Sequence, residues 1–189
     1  MDLPEEANRL ELEREAAPLP AKGLDLTKRS EGFRSDLYND AVGYCTIAYG
    51  HLIKKAPCDG TESSDFRRGV SKPQGEELLT SDMGSVRQSV TALVTVQMSD
   101  GQYGALCDFV FNVGSKNFST STLLRVINSK RNDRVPTQFR RWIMANGTEL
   151  SSLKVRREHE ISLFFDGLPI PSAPEEESAA PIDIRRGED

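Results

Sequence analysis

Between residues 72 and 94 the apolar positions Leu78, Leu79, Met83, Val86, Val90, Leu93 and Val94 recur at the helical period. Ser71 is placed to cap this helix, with Pro73 in its first turn. A second helix opens at Ser99, with Gln102 at the capping-box position, and Gly114 ends it. Its apolar face is Tyr103, Leu106, Cys107, Val110 and Phe111. STLLRVINSK, VPTQFRRWIM and SSLKVRREHEISLFF predict three more helices.

Upstream the pattern changes. AKGLDLTKRSE (21–31) suits a helix stopped by Gly32, NDAVG is a turn signal, and YCTIAYGHLI is β-branched and aromatic enough for a strand. Residues 54–70 read as loop. The expected class is α+β: a small β-hairpin-containing N-terminal lobe, a larger helical lobe, and the helix from Ser71 joining them.

Composition refines this. The 189 residues carry a net charge of −5, but residues 1–25 and 167–189 hold −4 each, which leaves 26–166 at +3. A weakly basic body without a basic, aromatic-studded stripe argues against nucleic acid. No apolar run is long enough to span a membrane, and the start lacks the pattern of a signal peptide. The division expected is an acidic N-terminal extension (1–21), one catalytic domain (22–166) and a disordered acidic, Pro-rich tail (167–189).

The candidate chemistry lies in EGFRSDLYNDAVGYCTIAYGH (31–51). Glu31 shares a helix face with Leu24 and sits at a helix C-terminus; partial burial and the dipole both favour its protonated form. Asp40 lies in a polar turn and stays ionised. Two carboxyls in contrasting environments suit glycoside cleavage. By spacing alone, though, a Glu before a helix-stopping Gly and an Asp in a turn are ordinary features.

The stretch resembles the active-site signature of phage-type lysozymes, the endolysins of glycoside hydrolase family 24: Glu31, Asp40 and Thr46, with Tyr38, Gly43, Ile47, Tyr49, Gly50 and His51 in place. QYGALCDFVFNVG, STLLRVIN, FRRWIMANG and LKVRREHE follow in the family's order, so the likeness covers roughly 22–165. Ala48 departs from the family's usual Gly, and its methyl is expected to crowd the cleft floor. The resemblance implies a lysozyme-like fold with the cleft between its lobes. It also implies hydrolysis of the β-1,4 bond between N-acetylmuramic acid and N-acetylglucosamine in peptidoglycan, by inversion and without a cofactor. Glu31 would be the acid, Asp40 the base, and Thr46 a holder of the water. Gly50, Leu52, Phe111 and Asn112 would line the sugar, and Arg156 or Arg157 would support the catalytic Glu.

Cys45, His51 and Cys58 match no common zinc spacing, so no metal is expected and His51 reads as structural. Cys45 and Cys58 can form a disulfide, in an oxidising compartment only, and Cys107 reads as a buried thiol. Three functions follow: a monomeric muramidase made in the cytoplasm and lysing from within; the same enzyme exported as an antibacterial effector, with delivery machinery and an immunity protein; and a silent peptidoglycan-binding module.

Overall fold

The computed structural model describes residues 16–40, 43–172, 174 and 180–188. By its sequence the charged stretch after Pro4 could form a short helix before Pro18, and it lies outside the described residues. The chain forms two compact units, one of Asp25–Gly84 and one of the described residues up to Leu24 with those from Ser85 onward.

In the first unit, α1 (Ala21–Glu31) ends at Gly32, as the sequence predicts. Strands β1 (Arg34–Asn39), β2 (Cys45–Ala48) and β3 (His51–Lys54) follow in an antiparallel sheet of order β1-β2-β3. The single strand expected over YCTIAYGHLI is therefore two, with a turn at Tyr49 and Gly50. Left-handed backbone at Ala48 (φ 56°) and Gly50 (φ 78°) breaks the run. This accounts for the usual Gly at position 48. The Ala48 methyl is buried in a cluster with Ile47, Val70, Phe33, Leu37, Ile53, Phe66 and Leu78, so it packs into the core. The segment expected as loop holds the one-turn α2 (Ser64–Arg67). In α3 (Lys72–Leu93), Gln74 Oε1 accepts from the backbone and hydroxyl of Ser71, which fixes the predicted start.

In the second unit, α4 (Asp100–Val113) opens on the predicted Ser99–Gln102 capping box and closes at Gly114. α5 (Ser115–Thr120), α6 (Thr122–Asn128), a 3-10 turn at Asn132–Arg134, α7 (Val135–Arg140) and α8 (Ser151–Phe164) follow. The core is aromatic: Phe109 meets Phe118, Phe139 and Trp142 edge-to-face, with centroids 5.2–6.1 Å apart. α4 and α8 pack closely because Gly101 has no side chain; a Cβ there would lie 2.4 Å from the Leu163 carbonyl.

Two expectations fail here. The helix over VPTQFRRWIM stops at Arg140, and Met144 instead starts a small hairpin, β4 (Met144–Ala145) with β5 (Thr148–Glu149). Asn146 and Gly147, both at positive φ, form its turn. Nor is the whole C-terminal stretch free of the body. Ile182 is buried, residues 182–184 exchange backbone hydrogen bonds with Met144, and Asp183 Oδ2 accepts from Gly147 N. Glu188 accepts from Thr122 and pairs with Arg141 at 3.2 Å. A composition poor in core formers concealed one anchoring Ile and two acids with partners.

No helix among the described residues is long and apolar enough to cross a membrane.

Candidate active site

Tyr38 and Thr46 are direct partners across the β1–β2 ladder, so their side chains share a face of the sheet. The Tyr38 hydroxyl is pushed above its ordinary value, first by burial and then by the charges of Glu31 and Asp40, with Arg34 opposing. The Arg34 guanidinium lies 4.2 Å from the Tyr38 ring centre.

Each member is held locally. Glu31, half-buried at the end of α1, rests against Gly50; a Cβ at Gly50 would lie 3.4 Å from its Oε2. Asp40 terminates the β1–β2 ladder. Its backbone N–H donates to Tyr44 O, its carbonyl accepts from Gly43, and its Oδ1 accepts from Tyr44 N at 2.9 Å. Thr46, 3% exposed, donates from Oγ1 to Tyr44 O at 3.0 Å. The aspartate and the threonine are therefore tied to the same residue, Tyr44.

Flanking groups stiffen this frame. Cys45 and Cys58 form a disulfide with Cα atoms 4.8 Å apart, so neither sulfur is a free thiolate. Just beyond the loop it closes, buried Glu62 accepts from the backbone of Asp59 and Gly60 and reaches back into the loop to pair with Lys54 at 2.7 Å, which holds its carboxyl down to about 2. His51 is bound through Nδ1 to Asp82 at 2.9 Å and lies against Phe66. Leu52 is exposed. Cys107 is a buried thiol whose burial pushes it up to about 12.

The remaining expected residues belong to the helical unit. Phe111 and Asn112 are half-buried on α4. Arg156 and Arg157, which sequence could not separate, have different partners. Arg156 clamps Asp108 with two bonds of 3.0 and 2.9 Å, while Arg157 donates from Nη2 to Asn112 Oδ1 at 2.7 Å and pairs with Glu160 at 2.8 Å. Burial pushes Glu160 up and Arg157 down, and their mutual attraction opposes both shifts. Sequence reasoning missed Tyr38 as a hub and Asp108 and Glu160 as partners. The signal for Glu160 was an acid three and four residues after two arginines.

The phage lysozyme family model matches residues 28–160. The chain belongs to the phage lysozyme family. It is 34% identical over 147 residues to the endolysin of Salmonella phage P22, covering 78% of this chain and 97% of that protein. It is 37% identical over 132 residues to a SAR-endolysin of bacteriophage PS119, covering 69% and 73%. A crystal structure of a P22 lysozyme mutant superposes with a TM-score of 0.67 at 32% identity, over 78% of this chain and 98% of that one. The muramidase domain of SpmX from Asticaccaulis excentricus gives 0.67 at 28% identity, over 77% and 96%.

Proposed function

We propose that Glu31, Asp40 and Thr46 carry the chemistry of this chain, a peptidoglycan hydrolase of the lysozyme type. Glu31 protonates the oxygen of the glycosidic bond between N-acetylmuramic acid and N-acetylglucosamine. Asp40 takes a proton from the attacking water, which Thr46 helps to hold, and the anomeric centre inverts. The single observation carrying this reading is the common anchorage of Asp40 and Thr46 on Tyr44 at the end of the β1–β2 ladder, where Asp40 Oδ1 accepts from Tyr44 N and Thr46 Oγ1 donates to Tyr44 O. Gly50 and Leu52 on the strand side, and Phe111 and Asn112 on α4, are the sugar-lining residues. The enzyme acts as a monomer on the wall from the periplasmic side. An oxidising compartment is where the Cys45–Cys58 bond persists, which supports that placement.

The test is Glu31→Gln on purified peptidoglycan, read as release of reducing ends. The variant keeps the shape and loses the proton donor, so activity falls ~10²-fold or more with an unchanged circular dichroism spectrum. Full activity in the folded variant removes Glu31 from the role of acid.

A further inference from the structure

We propose that Glu160 and Arg157 fix the polarity of Asn112, so that its amide offers NH2, and not oxygen, to a carbonyl oxygen of the bound glycan. The inference rests on the muramidase reading above and names a contact within it.

The argument starts from the guanidinium. Arg157 is fully buried, and its Nη2 lies 2.7 Å from the Asn112 amide. A guanidinium carries donors only, so the amide atom that faces it has to be the oxygen. The opposite orientation would set donor against donor in a buried position. With Oδ1 held inward, the NH2 group of this half-buried side chain has no partner among the described residues.

Arg157 is itself held in place. Glu160, fully buried and one turn along α8, pairs with it at 2.8 Å. Its guanidinium also stands 4.9 Å from the centre of the Phe109 ring, which is locked by three edge-to-face neighbours. Arg156 lies 3.7 Å from Glu160 and clamps Asp108, so two arginines share two carboxylates and the cluster is balanced in charge. Among the described residues, Arg157 Nε and Nη1 have no hydrogen-bond partner. Its direction therefore depends on Glu160, Asn112 and Phe109. Glu160 is a positioning residue acting through Arg157, and Asn112 is the group that touches substrate.

A purely structural Asn112 and a donor Asn112 respond oppositely to one substitution. Asn112→Asp gives Arg157 a carboxylate partner, so a structural role predicts equal or higher thermal stability and unchanged binding. A donor role predicts that stability holds while affinity falls, because oxygen now faces the ligand. Binding is measured by calorimetry in the Glu31→Gln background, which makes it independent of turnover. Two probes are used: chitotetraose, which carries N-acetyl carbonyls, and a disaccharide bearing the peptidoglycan stem peptide. The expected result is about a 10-fold weaker Kd, the size of one hydrogen bond. A loss seen with chitotetraose assigns the acceptor to an N-acetyl group, and a loss confined to the stem-bearing probe assigns it to the peptide.

Glu160→Gln should weaken binding less, Glu160→Asp should restore part of the loss, and Glu160→Gln added to Asn112→Asp should cost nothing further. Should Glu160→Gln fail to fold, Asn112→Asp alone decides. An Asn112→Asp protein that binds both probes as tightly as its parent overturns the proposal. Separately, a wild-type protein that leaves peptidoglycan intact would sink the muramidase reading itself.

Discussion

Cys45 is joined to Cys58, and the residue after Cys45 is Thr46, so the disulfide anchors the chain one position from a member of the proposed triad. The bond closes a loop over a sequence separation of 13, and loops of that length gain roughly 3 kcal/mol from loss of unfolded-state freedom. Reduction, or Cys45→Ser with Cys58→Ser, should lower the melting temperature by several degrees or more. Thermal melts with and without a phosphine reductant check this. An unchanged melt would show that Lys54, Asp59 and Glu62 hold the loop without the bond.

Glu62, beyond Cys58 but paired with Lys54 inside that loop, gives the region a defined acid sensitivity. Its carboxyl is held down to about 2 in the folded chain, against an ordinary value of 4.5. A depressed carboxyl contributes stability that is present above the unfolded value and lost as pH falls through the folded one. The loss should therefore run from about pH 4.5 down towards 2. Glu62→Gln should flatten the change in stability over that window, measured by denaturant titration at several pH values.

Thr46 is expected to serve through its hydroxyl. Thr46→Ser keeps the oxygen and should stay within a few-fold of wild-type activity. Thr46→Val removes it from a buried position and should lower kcat by about 10-fold or more, with a stability cost of about 1 kcal/mol for the lost bond to Tyr44 O. Equal kcat in both variants would exclude a role in holding water.

At position 48 two effects oppose each other. Ala48→Gly relieves left-handed backbone worth roughly 1–2 kcal/mol, but it removes a buried methyl worth about 0.8 kcal/mol and loosens the unfolded chain. Stability should change by less than about 1 kcal/mol, and activity should not change. A large loss of activity would place the methyl in contact with substrate.

The C-terminal segment should behave as part of the helical unit. Deleting 180–189 exposes the site of Ile182 and breaks the Glu188–Arg141 and Asp183–Gly147 contacts, so stability should drop by about 2 kcal/mol or more. Deleting 1–15 should leave stability and peptidoglycan cleavage intact. Melting temperatures of the two truncated proteins, compared with the full chain, separate these outcomes.

The sequence by itself determined the long elements and the candidate triad. Helices α3 and α4 were legible because apolar periodicity, caps and a stopping glycine all agree there. Glu31, Asp40 and Thr46 were legible through the resemblance of their segment to the phage-type lysozyme signature; by spacing alone the two acids are ordinary features of a helix end and a turn. What depends on partners distant in sequence was decided only by tertiary structure. Strand β1 is mostly exposed and has no apolar alternation; it exists because β2 pairs with it. The same pairing, not spacing, makes Tyr38 the neighbour of Thr46. The Asn146–Gly147 dipeptide is a hairpin turn, but the strands it joins are two residues long and carry no alternation of their own, so pairing and not pattern defines them. Arg156 and Arg157 are adjacent in sequence and equivalent in composition. They differ because a helix turns about 100° per residue, so neighbours point apart and meet different groups on α4, Asp108 for one and Asn112 for the other.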